Sequence, residues 1–189
     1  MRGRHRIIVG ISGATGIALG ARALELLREA GVETHLVVTR HGQQTRALET
    51  DLSAEGLRGL ADVSYAAGDM GAAIASGSFR TLGMIVPPCS VRSLAEIAGG
   101  ATSSLLTRAA DVTLKERRRL VLMVRETPLS AVHLRNMLEV TEAGGVVVPP
   151  VPAFYLRPAS LEDVITHVVA RALDPFGLDV TIPRWGEDE

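Results

Sequence analysis

The feature that most constrains this chain is an alternation of short apolar runs with helix-length amphipathic stretches. The apolar runs fall at residues 6–10, 34–39, 82–86, 120–124 and 146–148. Between and after them lie amphipathic stretches at 18–29, 43–49, 91–98, 105–115, 131–142 and 161–173. Near-continuous apolar strands separated by helices bury both faces of a sheet, which is the pattern of parallel strands covered on each side. The 189 residues are therefore expected to form one domain, an α/β three-layer αβα sandwich with a mostly parallel, Rossmann- or flavodoxin-like sheet. In such folds a ligand sits beyond the carboxyl ends of the strands, where strand order reverses.

The residues that follow each run are thus the ones to inspect. After the first comes "GISGATG" at 10–16. Its G-x-x-G-x-x-G spacing differs from the G-x-G-x-x-G of dinucleotide sites, and no Gly-Lys-Ser/Thr follows to make a Walker loop. Glycines before a helix start still suit an approaching anion, whose charge the helix dipole favours; a plain tight turn is the other reading. The later runs are followed by Thr39-Arg40, "PPCSVRS", "RETPL" and "PPVPAFY". Both Pro-Pro pairs are expected to stop their strands, because proline donates nothing to a ladder. One rim then gathers hydroxyls at Thr15, Thr39, Ser90 and Ser93 with Arg40, Arg92, Arg125, Glu126 and Tyr155. Loops are polar in any protein, but this convergence suits a phosphate monoester joined to a planar polar ring, a mononucleotide such as FMN. Its phosphate is expected at the helix start after 10–16, with the ring reaching toward Arg125 and Glu126.

In "TRAADVTLKERRRL", Arg108, Asp111 and Lys115 fall on one helical face. They form either a solvated, salt-bridged surface or a pair of cations for a second anion. The segment "IASGSF" at 74–79 is small and weakly polar, unsuited to a free loop. Metal and hydrolase patterns are missing: no Cys/His ligand spacing, no H-E-x-x-H, no G-x-S-x-G and no D-D-x-x-D. The five histidines (His5, His35, His41, His133 and His167) are scattered. If a phosphate leaves here, arginine, lysine and tyrosine must help it, and no metal is expected. A net charge of −1 gives no bias toward nucleic acid, and no apolar run reaches membrane-spanning length. The amino end lacks the long apolar segment of a signal peptide. With a single cysteine, Cys89, unable to form an internal disulfide, the protein is expected to be cytoplasmic. Cys89 itself reads as a small apolar filler.

Taken together, "GISGATG", "LETDLS", "SGSFRTLGMIVPPCS", "LLTRAADVTLKERRRLVLMVRETPL", "HLRNM", "PPVPAFYLRP" and "ARALDPFGL" resemble the flavin prenyltransferase (UbiX-like) family over nearly the whole chain. Members have also been named 3-octaprenyl-4-hydroxybenzoate carboxy-lyase or a component of phenolic acid decarboxylase. The resemblance implies transfer of a dimethylallyl group from dimethylallyl monophosphate to N5 and C6 of reduced FMN, without a metal. The prenylated FMN would pass to a partner decarboxylase of the UbiD type. It further implies that Gly13, Ala14, Thr15, Thr39, Ser90, Val91, Arg92, Ser93 and Arg125 bind FMN. Arg108, Lys115, Tyr155 and Arg171 would grip the prenyl phosphate, with Arg108 and Lys115 stabilising its departure. Glu126 would relay protons with the hydroxyl of Thr15. Trp185 would either close the site over the prenyl tail or pack on a neighbouring subunit. The family pattern also implies a homo-oligomer, a trimer-based dodecamer, with residues from about 175 onward reaching a neighbour.

The chain departs from that pattern at Thr15 and Thr39, where the family has Ser, at Arg92, where it has Lys, and at Ser103-Ser104, where it has an acidic residue followed by Gly. Threonine keeps the hydroxyl but stiffens χ1. The alternative to a prenyltransferase is a non-catalytic FMN-binding accessory subunit of a decarboxylase. Direct peptidyl-cysteine decarboxylation is disfavoured, since the histidine and asparagine motifs of that chemistry are not evident.

Overall fold

A computed structural model describes residues 5–180 and 186 of the chain. Six parallel strands form one sheet in the order β3-β2-β1-β4-β5-β6, the doubly wound Rossmann order. The strands are β1 (Arg6–Ile11), β2 (Glu33–Val38), β3 (Val63–Tyr65), β4 (Gly83–Cys89), β5 (Arg119–Val124) and β6 (Val146–Val147). The helices are α1 (Ile17–Glu29), α2 (Arg40–Glu49), α3 (Ala54–Gly59), α4 (Val91–Ala98), α5 (Leu105–Lys115), α6 (Ala131–Glu142) and α7 (Leu161–Leu173). The expected alternation is met, with β3 and α3 added between α2 and β4. Those two elements carry little apolar periodicity: β3 is a three-residue edge strand whose first two residues are exposed.

Strand side chains alternate between faces, and each face meets its own helices. Ile7, Val9, Ile11, Leu36, Ile85, Val121 and Met123 share a core with Leu24 and Leu27 of α1 and Val169 and Leu173 of α7. Ile8, Val37, Met84, Val86, Leu120 and Leu122 point the other way, onto Leu94 of α4 and Leu106 and Ala110 of α5. The segment 74–79 is not free either. Ile74 is buried in the second core, and the carbonyls of Ala75, Gly77 and Phe79 accept from Arg108 and Arg118.

One expectation about the strands is corrected. Pro87-Pro88 does not end β4: the ladder to β5 pairs Val86 with Leu122, skips the prolines, and resumes at Cys89 opposite Val124. Proline lacks an N–H but keeps its carbonyl, and the Pro88 carbonyl accepts from the Ser12 N–H at 3.2 Å. The second pair behaves as expected, with β6 ending at Val147, before Pro149.

Gly20 sets the spacing of the first crossover. A Cβ there would lie 2.5 Å from Ile11 Cδ1 and 2.6 Å from the Pro87 carbonyl oxygen, so only glycine lets α1 lie this close to β1 and β4. That junction is the switch point of the sheet, where β1 leads outward one way and β4 the other.

Candidate functional site

A cleft of about 700 Å³ lies at this switch point, a size that suits a mononucleotide. It is walled by Gly13, Ala14 and Thr15 after β1, Thr39, Arg40 and His41 after β2, Ser90 to Ser93 after β4, and Arg125 and Glu126 after β5. Ala67 and Gly68, Glu96, and Ser103 and Ser104 complete the lining. Every residue expected to bind flavin therefore borders one cavity.

Helix capping explains much of this arrangement. The Thr39 hydroxyl accepts from Gly42 N at 3.0 Å to start α2. The Ser90 hydroxyl accepts from Ser93 N at 3.2 Å to start α4, and Ser104 forms a capping box with Thr107 to start α5. Ser, Thr and Asn are the residues that satisfy the orphan N–H groups of a first turn. The hydroxyls are thus fixed at the cleft by the same bonds that begin the helices.

The start of α1 is built otherwise and corrects an expectation. Gly16, at φ 105, has no side chain to cap the helix. Its N–H and that of Ile17 donate to Glu49 Oε2 at 2.9 and 3.0 Å. The carboxylate of Glu49 thus occupies the place expected for the phosphate. Burial pushes the Glu49 pKa up, but hydrogen bonds from the Thr15 hydroxyl, Ile17 N–H and Gly16 N–H, with the field of Arg125, bring it below the ordinary value. Thr15 is therefore engaged with a carboxylate of the protein's own, at the surface of the cleft. Sequence reasoning finds no role for Glu49, because its partners lie more than thirty positions away, beyond any local pattern.

Glu96 also escapes a reading by motif. Arg92 Nε donates to its Oε1 at 2.9 Å, and the Ser103 hydroxyl donates to its Oε2 at 2.6 Å. Burial opposes ionisation here, yet the bonds from Ser103 and Arg92 hold its pKa below the ordinary value. The i, i+4 spacing from Arg92 is the available signal. His41, one of the scattered histidines, lines the cleft.

Glu126 borders the cleft and is exposed in the single chain. The Thr127 N–H donates to its Oε1 at 2.9 Å. Arg125 is fixed through its backbone, whose N–H donates to the Cys89 carbonyl at 3.1 Å. Cys89 is fully buried, and burial pushes its thiol up to about 12, which fits a filler rather than a nucleophile.

The expected phosphate-gripping set is not assembled by one protomer. Arg108 Nη1 pairs with Asp111 at 2.7 Å, and Lys115 Nζ pairs with Glu116 at 2.6 Å. Arg171 pairs with Asp174 at the end of α7, across the sheet from α5, and Tyr155 stands half-exposed on the turn Phe154–Leu156. None of the four lines the cleft. Trp185 lies outside the described residues. Among the described residues no group of three His, Cys, Asp or Glu side chains is placed to hold a metal, and no helix is long and apolar enough to cross a membrane.

The chain matches the Flavoprotein family model over residues 1–172. A flavin prenyltransferase UbiX of Neisseria meningitidis serogroup B is 58% identical over 175 residues, 93% of each chain. A crystal structure of AnUbiX (PadA1) in complex with FMN and dimethylallyl pyrophosphate is 53% identical and superposes with a TM-score of 0.96, covering 99% of this chain and 100% of that one. The dodecameric FMN-dependent UbiX-like decarboxylase of Escherichia coli O157:H7 is 52% identical, with a TM-score of 0.92 over 95% of this chain and 98% of that one. By fold, cleft and sequence, the chain belongs to the flavoprotein family, among the UbiX flavin prenyltransferases.

Proposed function

We propose that this protein joins a dimethylallyl group from dimethylallyl monophosphate to reduced FMN, bridging N5 and C6, and yields prenylated FMN for a UbiD-type decarboxylase. The observation that carries the reading is the cleft at the β1/β4 switch point, lined by the whole set of residues expected to bind flavin. A structure of matching architecture is described with FMN and dimethylallyl pyrophosphate bound, which supports this pair of ligands.

The chemistry asks specific things of the chain. The C–O bond to phosphate breaks and the phosphate leaves with the electron pair, while one bond forms at N5 and one at C6. One proton departs with the phosphate, and the C6 proton is exchanged for one on the former alkene. Arg108, Lys115, Arg171 and the Tyr155 hydroxyl stabilise the departing oxygens, as preorganised cations and donors do in a dry site. Glu126 carries protons between the ring edge and the phosphate. Thr15, hydrogen-bonded to Glu49, orients the ring and takes part in the relay.

The four phosphate-gripping residues are dispersed in one protomer, so the complete site forms between copies of the chain, in a dodecamer. Exposed apolar residues at Val132, Leu134 and Leu138 on α6, with Val151, Phe154 and Leu161, supply surface for such contacts. The assembly is proposed to work in the cytoplasm, as the lone buried thiol befits.

The test is anaerobic incubation with reduced FMN and dimethylallyl monophosphate, followed by mass analysis of the flavin. A product heavier by one five-carbon prenyl unit is expected. Tight FMN binding without product returns the accessory-subunit reading, and failure to bind FMN removes both.

A further inference from the structure

Glu96 sits on α4 one turn beyond Arg92, and it borders the cleft together with Ser93 and Ser103. The chemistry above gives it no part. Its side chain retains 20% exposure, and Arg92 and Ser103 each fill one position on its two oxygens. A carboxylate has about four lone-pair sites and, when ionised, accepts only. Half of that capacity remains. Arg92 gives its Nε to Glu96, and its other guanidinium N–H groups are donors beside the acceptor.

The wall therefore carries a charged acceptor next to a fork of donors. Like-charge repulsion excludes a phosphate from contact with Glu96. A neutral ring edge in which an N–H adjoins a carbonyl fits both groups at once. Flavin has such an edge at the imide of its pyrimidinedione ring. Ribityl hydroxyls also donate, but serine satisfies them equally well, and the cleft already offers Ser90, Ser93 and Ser104.

We propose that Glu96, held in place by Arg92 and Ser103, is a specificity-determining residue that accepts the N3–H of the flavin ring, with Arg92 turned to the adjoining ring carbonyl. This rests on the flavin reading of the cleft given above. It places the imide edge against α4 and the loop at 103–104, and the reactive N5 edge away from it.

A methyl group on N3 removes the donor and leaves an ionised carboxylate facing carbon. Sites built around a buried polar group reject analogues that leave it unpaired. The experiment is equilibrium titration of the purified protein with FMN and with N3-methyl-FMN, read by flavin fluorescence. The wild type is expected to prefer FMN by about 10-fold or more, the scale of a hydrogen bond to a charged group. Glu96→Ala is expected to bind the two flavins alike. Glu96→Gln keeps the side-chain shape and a neutral acceptor, and is expected to fall between them. Equal binding of both flavins by the wild type overturns the proposal while leaving the flavin reading intact, as does an undiminished preference in both variants. A wild type that binds neither flavin overturns the flavin reading, and this inference with it.

Discussion

The two halves of the site are built on different principles. The residues proposed to bind flavin all border one cleft within one chain: Thr39 and Ser90 cap helices there, and the backbone of Arg125 is pinned by a strand-end bond. The phosphate-gripping half is scattered over α5, α7 and the turn Phe154–Leu156. Its cations are paired with acids close by in sequence. A parallel sheet gathers whatever follows its strands at one rim, so the first half comes with the fold. Residues inside helices or on remote turns receive no such help, and under the proposed function they meet where copies of the chain come together.

The largest effect that sharpens this contrast is expected from Glu126→Gln, at the junction of the halves. FMN binding should persist while formation of prenylated product falls by about 10²-fold or more, the range of general acid–base help. Unchanged turnover would remove the proton relay, and lost FMN binding would make Glu126 a structural residue. Next come Arg108→Ala and Arg171→Ala. Each should lower product formation by about 10²-fold with FMN affinity retained, and co-refolding the two variants should recover part of the activity. No recovery in the mixed oligomer would place both cations on the same chain at each site.

Glu49→Gln tests the flavin half at its helix start. Loss of the charged cap on α1 should lower stability by about 1 kcal/mol at neutral pH. The pKa of Glu49 is depressed in the folded protein. Its contribution is therefore full above the ordinary glutamate range and is lost as pH falls through the depressed value. Urea melts of wild type and variant should differ at neutral pH and converge in acid; a constant gap would show that the charge is not the stabilising feature. The smallest effect concerns Arg117, which follows α5 at φ 55, a conformation that glycine adopts freely. Arg117→Gly should raise stability by about 1 kcal/mol or less, without altering product formation, since Arg117 belongs neither to the cleft lining nor to the prenyl-phosphate set.

The same division governs how much is legible in the sequence. Apolar runs and helix periodicity expose β1, β2, β4 and β5, which are buried on both faces, and β6, a half-buried edge strand with an apolar run of its own, whereas β3 at the other edge carries no such run. Thr39 and Ser90 are legible because a hydroxyl after a strand and before a helix has a local reason to be there. Glu49 has none: it is the last residue of α2, and its function is to complete α1. The Pro-Pro rule fails at Pro87 for a related reason. It considers the missing donors but not the Pro88 carbonyl, whose partner Ser12 follows another strand. Among the prenyl-phosphate residues Arg108 and Lys115 share a face of α5, but Tyr155 and Arg171 are joined to them by resemblance alone.

Ser12 gives the cleft a mechanical character. Fully buried, it donates through Oγ to the Pro88 carbonyl at 3.0 Å and accepts from the Ser90 N–H at 2.7 Å. That rivet joins the loop after β1 to the cap of α4, so the walls on either side of the switch point are tied to each other. Opening the site by parting those walls would break bonds in the interior. Gly68 and Ser103, exposed residues of loops that also line the cleft, take no part in these bonds. The inner wall of the cleft is thus tied by buried bonds that its exposed loop lining does not share.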